Sequence, residues 1–176
     1  MIKIEDYIKI YPNVIKKEIC DKIINQPDLI FSPARVKDGD LSPNRNCSVK
    51  TLAVEFDKEV FETVGIIIEH YAKAFEYFNT GLSTEDSGYE HLLYMGSQKG
   101  EYKTHTDHYD LHPRVLSCSL ILNDNYDGGD FSFFEGEHII KKKAGSAVVF
   151  PSNFCFPHAI TPVSNGDRHA IITWIR

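Results

Sequence analysis

The feature that most constrains this chain is a change of hydrophobic period near Gly88. Between Lys58 and Phe78, Val60, Phe61, Val64, Ile67, Ile68, Tyr71, Phe75 and Phe78 recur at helical spacing, the apolar stripe of an amphipathic helix. Such a stripe requires burial, so its aromatic residues are read as core. Beyond Gly88 the apolar runs become short and β-rich: Tyr89 to Met95, Val115 to Leu122, Phe131 to Glu135, Ala147 to Pro151 and Arg168 to Ile175, separated by turn residues. Helices followed by many short strands predict a mainly β chain with flanking helices, built as a helix-supported antiparallel sandwich or jelly roll.

The rest of the first half predicts an opening strand over Lys3 to Ile10 and a short helix over Lys16 to Ile24 that ends before Pro27. A polar stretch from Ser32 to Ser48, rich in Pro, Asn, Asp and Gly, reads as a long loop, a common form of lid or binding loop. At 176 residues, 42% hydrophobic and 25% charged, the chain has the composition of one globular domain. Its helical support is expected over about residues 1–88 and its β core over about 89–176. The net charge of -6 argues against nucleic acid as a partner, because phosphate binding rests on an excess of Lys and Arg. Four dispersed cysteines without a C-x-x-C pair fit reduced thiols in a cytoplasm, with Cys118 and Cys155 as small buried residues. The N-terminus lacks the apolar run of a signal peptide and no stretch is long and apolar enough to span a bilayer, so no membrane partner is expected.

The chemistry concentrates around His105 and Asp107. Two positions apart on an extended segment, their side chains leave the same face. His158, in Phe156-Pro157-His158-Ala159-Ile160, is the candidate third ligand. Two neutral imidazoles and one carboxylate form a facial triad that leaves metal positions open, the arrangement of Fe(II) oxygenases. Alone, H-x-D is weak evidence, and Arg168 strengthens it. It follows His158 by ten positions across the turn Ser164-Asn165-Gly166-Asp167, so a hairpin is expected to set the two strands side by side and aim Arg168 into the metal cavity. A guanidinium there suits the distal carboxylate of a dicarboxylic co-substrate. His108 and His112 lie near the site as solvated or neighbouring groups, whereas His70, His91, His138 and His169 show no partner pattern. Asp124 to Glu135 superficially matches a calcium loop, but Tyr126 and Gly128 occupy ligand positions and a tight turn is the better reading.

An ordered set of short motifs then runs from about Tyr89 to Trp174: Tyr94-Met95-Gly96 before Gly100-Glu101-Tyr102, His105-Thr106-Asp107, Tyr126-Asp127-Gly128-Gly129-Asp130-Phe131, and His158 through Pro162-Val163, Gly166, Arg168 and Trp174. Together they resemble the prolyl 4-hydroxylase branch of the 2-oxoglutarate and Fe(II)-dependent dioxygenases. The resemblance implies a double-stranded β-helix, a jelly-roll barrel flanked by helices. It implies Fe(II) held by His105, Asp107 and His158, with 2-oxoglutarate anchored by Arg168 and Tyr94. Tyr102 would be a further pocket residue, and Arg114 would lie near the substrate mouth. Dioxygen would be the second co-substrate and ascorbate a reductant. Hydroxylation of an unactivated C–H bond would release succinate and carbon dioxide, with a prolyl residue of a peptide or protein as substrate. A free amino acid, another side chain, or a non-catalytic jelly-roll binding module are the alternatives. Activity is expected to fall below pH of about 6 as ligating histidines protonate. The chain stops two residues after Trp174, without the C-terminal segments that help some relatives hold peptides. Pathway and oligomeric state have no sequence signature here.

Overall fold

A computed structural model of the protein describes residues 2–27, 29–36, 39–79, 85–111 and 113–176. The predicted helices form as α1 (Lys17–Ile24) and α2 (Val54–Ala74). On α2, Phe56, Val60, Val64, Ile67 and Tyr71 are buried at helical spacing, and each buried side chain of this size contributes roughly 1.5–3 kcal/mol. The stripe therefore starts a turn earlier than Lys58, and Phe61 points outward at 59% exposure. Past Ala74 the chain tightens into a 3-10 turn at Glu76–Asn79.

Among the described residues the strands form two antiparallel sheets. The larger has seven strands in the order β1 (Lys9–Tyr11), β10 (Ala147–Pro151), β7 (Leu116–Ile121), β12 (Arg168–Ile175), β5 (Glu90–Tyr94), β4 (Ser48–Thr51) and β2 (Ser32–Pro33). The smaller runs β3 (Arg45–Asn46), β6 (Glu101–His105), β11 (His158–Ile160), β8 (Phe131–Phe133) and β9 (His138–Ile140). The two sheets make a jelly-roll sandwich without closing into a barrel.

Alternate residues of the larger sheet enter two separate cores, as the two-residue period of a strand dictates. One core joins Leu116, Cys118, Leu120, Val149, Ile171 and Ile175 to the buried stripe of α2. The other joins Leu92, Tyr94, Ile121, Phe150, Ile172 and Trp174 to Phe131, Phe133 and Ile160 of the smaller sheet. β7 is buried on both faces along its whole length, Ser117 and Ser119 included.

Four expectations are corrected. The opening segment is not one strand: Lys3 N donates to Asp6 Oδ2 at 2.8 Å and supports a 3-10 turn at Ile4–Tyr7 before β1. The first half is not purely helical support, because β1, β2 and β4 extend the larger sheet and β3 edges the smaller one. Accordingly the Ser32 to Ser48 loop holds β2 and β3, with Lys37 and Asp38 outside the described residues. The hairpin from His158 to Arg168 does not form: β11 pairs with β6 and β8, whereas β12 pairs with β5 and β7 in the opposite sheet. Cys155 is exposed, unlike buried Cys118, because it sits in the turn before β11. No helix among the described residues is long and apolar enough to cross a membrane.

His91 and His169, for which the sequence showed no partner, find each other: His91 Nε2 lies 3.0 Å from His169 Nδ1 on β5 and β12, with Phe31 edge-on to His91. Burial pushes the His91 pKa down to about 3. A depressed folded pKa means that the unfolded chain binds the proton first, so this contribution to stability is complete above pH of about 6.5 and is lost as pH falls toward 3. Between pH 7.5 and 5 it is on the order of 1–2 kcal/mol. Denaturant unfolding at these two pH values should therefore show a smaller pH-dependent loss in His91→Asn than in wild type; an equal loss would show that His91 does not carry it.

Candidate active site

The candidate site lies between the sheets, where β6 and β11 pair. His158 sits directly opposite His105, but the next pair is Ile160 with Tyr102, so β6 carries one extra residue. Such a bulge re-aims side chains. Tyr102 and His105, three apart, would leave opposite faces of a regular strand, yet here their rings stack 3.4 Å apart beside one cavity. Asp107 follows just past the end of β6, buried at 8% exposure.

The ring nitrogens are oriented by the main chain. His105 Nδ1 lies 2.8 Å from the Lys103 carbonyl and His158 Nδ1 lies 3.1 Å from that of Phe156. A carbonyl only accepts, so each Nδ1 carries the hydrogen and each Nε2 presents its lone pair. His105 Nε2 is 3.5 Å from Asp107 Oδ1 and His158 Nε2 is 3.8 Å from Asp107 Oδ2. One ligand atom from each residue falls within 4.8 Å of the others, a donor set that fits a single divalent metal with two imidazoles and one carboxylate.

Burial alone would raise the Asp107 pKa, but His158, His105 and the Ser117 hydrogen bond hold it well below the usual carboxylate range. Burial pushes His158 down to about 4 against the pull of Asp107, so its ring is neutral at ordinary pH.

Arg168 lies across the same cavity, a narrow space of about 40 Å³. It pairs in register with Tyr94, and its guanidinium stacks over that ring at 4.9 Å and over Phe131 at 5.7 Å. Arg168 Nε donates to the Gly129 carbonyl at 3.2 Å, whereas its buried Nη1 has no partner. The Gly128-Gly129 turn permits this approach: Gly129 has a φ of +66°, and a Cβ there would come within 2.6 Å of the Tyr126 ring. Tyr94 is fully buried, and burial raises its pKa, so its hydroxyl keeps its proton for donation. Arg114 lies farther out, its guanidinium 3.6 Å from the Trp174 ring center and its Nη1 donating to the Asp107 carbonyl at 3.3 Å. His108 instead pairs with Asp110 at 2.9 Å, and His112 lies outside the described residues.

Ser117, Ser152 and Arg45 were not singled out from the sequence. Ser117 Oγ donates to Asp107 Oδ2 at 2.6 Å and lies 2.8 Å from Ser152 Oγ, all three groups being buried. The available signal was a polar residue inside a strand buried throughout, since a buried hydroxyl must find a partner.

A jelly-roll sandwich carrying a two-histidine, one-carboxylate cluster defines the class of non-haem Fe(II) oxygenase scaffolds. Residues 90–176 match the sequence model of the 2OG-Fe(II) oxygenase superfamily. A PKHD-type hydroxylase of Hyphomonas neptunium is 28% identical over 150 residues, covering 81% of this chain and 60% of that protein. The chain spans less than two thirds of the curated relatives it matches. In fold it is similar to the viral collagen prolyl hydroxylase of Paramecium Bursaria Chlorella virus-1 in its 2OG complex, with a TM-score of 0.73, 19% identity and coverage of 97% and 96% of the two chains. It is also similar to the Trichoplax adhaerens prolyl hydroxylase in complex with a hypoxia inducible factor peptide fragment, with a TM-score of 0.74, 18% identity and coverage of 96% and 83%. Residues 90–176, which carry the cluster, are thus similar in sequence to the 2OG-Fe(II) oxygenase superfamily, and the whole chain shares the fold of prolyl hydroxylase structures.

If Ser117 holds Asp107 Oδ2 so that Oδ1 faces the metal, Ser117→Ala should weaken Fe(II) binding by roughly tenfold or more. Anaerobic titration calorimetry checks this, and unchanged affinity in the folded variant would remove Ser117 from metal binding.

Proposed function

We propose that this protein is a 2-oxoglutarate- and Fe(II)-dependent dioxygenase that hydroxylates an unactivated C–H bond, that of a prolyl residue in a peptide or protein. The observation that carries the reading is a buried guanidinium with an unpartnered Nη1 in the same cavity as the His105, Asp107 and His158 cluster. Those three residues would hold Fe(II). Bound there with 2-oxoglutarate and dioxygen, and kept reduced by ascorbate, the iron supplies the oxidising power for hydroxylation with release of succinate and carbon dioxide.

The chain's own groups do the positioning. Arg168 binds the distal carboxylate of 2-oxoglutarate through charge-assisted hydrogen bonds, and its Gly129 contact fixes its direction. Tyr94 donates its hydroxyl to the same carboxylate. Tyr102 stacks on His105 and holds that imidazole in place. Phe131, Phe150, Ile160 and Ile172 wall the cavity and keep water from it. The peptide reading is supported by the similarity to prolyl hydroxylases, one of them holding a peptide fragment, and by an open cleft of about 580 Å³ beside the ligands.

Anaerobic titration of Fe(II)-loaded protein with 2-oxoglutarate should raise the visible absorption band of the chelated co-substrate. Arg168→Ala should need roughly a hundredfold more co-substrate, the effect of losing a buried charge partner. No band in folded, iron-bound wild type would sink the proposal.

A further inference from the structure

The open cleft shares Arg45, Tyr102, Asp107 and Trp174 with the inner cavity, so the two spaces adjoin. Its lining runs against the composition of the chain. The protein has 19 Lys and Arg against 25 Asp and Glu, yet Arg35, Arg45 and Arg114 face this cleft with only Glu90 and Asp107 as described acidic residues. A divalent metal would offset the Asp107 charge, which leaves Glu90 against three guanidiniums.

Each arginine gives a hydrogen bond to a main-chain carbonyl, and Asp107 and Glu90 are the carboxylates that act on Arg114. Arg35 Nη1 donates to the Gly39 carbonyl at 2.5 Å, Arg45 Nη1 to that of Arg35 at 2.8 Å, and Arg114 Nη1 to that of Asp107 at 3.3 Å. Among the described residues, two buried polar atoms on residues shared by both spaces have no hydrogen-bond partner: Arg45 Nε and Trp174 Nε1. Both can only donate. An occupant that satisfies them must accept hydrogen bonds, and one that also answers the charge must be anionic.

Resting on the proposed oxygenase function, we infer that the substrate presents a carboxylate beside the carbon to be hydroxylated, and that Arg114 and Arg45 receive it. Arg114 lies flat on Trp174, so an anion drawn to it is held at the entrance to the metal cavity. The carboxylate can come from an acidic side chain next to the prolyl residue or from a chain terminus.

Trp174 is the sole tryptophan of the chain, and its fluorescence reports directly on this cleft. The probes are capped four-residue peptides in which proline is flanked by Glu or by Gln, together with an uncapped peptide whose only carboxylate is C-terminal. The Glu peptide, the uncapped peptide or both should bind at least about fivefold tighter than the capped Gln peptide, and which of them does so identifies the source. The preference should shrink with salt and collapse in Arg114→Gln and in Arg45→Gln. The Arg45 variant serves where loss of Arg114 disturbs the packing of Trp174. Equal binding of all three peptides, or none at millimolar concentration, overturns the inference. 2-Oxoglutarate titrated into the same samples keeps the two readings apart: equal peptides with intact co-substrate binding remove only this inference, whereas absent co-substrate binding removes the oxygenase reading and leaves an anion-selective cleft standing on its own.

Discussion

A β-sheet buried on both faces leaves no water to solvate a charge, and the arrangement of this molecule follows from that constraint. One face of the seven-stranded sheet solves it by exclusion: α2 covers it with apolar side chains, and the one imidazole wholly enclosed there, His91, is kept neutral by burial. The other face keeps Arg168, Asp107 and His158, which are 1%, 8% and 3% exposed. Each is partly answered from within. Ser117 donates to Asp107, the Phe156 carbonyl orients His158, and Gly129 with the rings of Tyr94 and Phe131 takes one side of Arg168. What remains unanswered is a guanidinium nitrogen and two imidazole lone pairs, all bordering one cavity. A protein that leaves such groups buried has made room for a ligand that satisfies them.

The site is divided between the two sheets, and that division gives it rigidity. The two histidines of the cluster come from strands of the smaller sheet that pair at His105 and His158. Arg168 and Tyr94 are paired residues of the larger one. The placement of His105 and His158 relative to Arg168 and Tyr94 is therefore set by sheet-on-sheet packing of Phe131, Phe133, Phe150 and Ile160 rather than by a loop. Arg35, Val36, Gly39 and Arg45 act differently: they line the outer cleft, and the two arginines contribute positive charge there. In the proposed function the inner space takes the small dicarboxylate and the outer one the partner to be oxidised.

Much of this was legible from residue order. The helical stripe, the five apolar strands, the H-x-D pair and Arg168 each rest on local periodicity or local chemistry, which adjacent residues encode. The short strands β2, β3, β4 and β9 were not assigned as strands because they are brief, and β6, mostly polar, was read only as an extended segment; pairing partners rather than propensity make them strands. The hairpin inferred between His158 and Arg168 failed for a related reason. A turn signal shows that the chain reverses, but not whether the returning strand rejoins the same sheet or crosses to the facing one.

By itself, then, the sequence determined which residue types could do chemistry here, because an imidazole, a carboxylate and a guanidinium carry their reactivity wherever they are placed. It also determined the helical and β halves, since hydrophobic period is written into consecutive positions. Only the tertiary structure decided that the β6 bulge turns Tyr102 and His105 to one side, that Ser117 braces Asp107, that His91 meets His169 and that Arg45 joins Arg114 over the cleft. These are contacts between residues 10 to 78 positions apart or shifts of register, and they depend on how strands align against one another, an energy shared by the whole sheet and carried by no single segment.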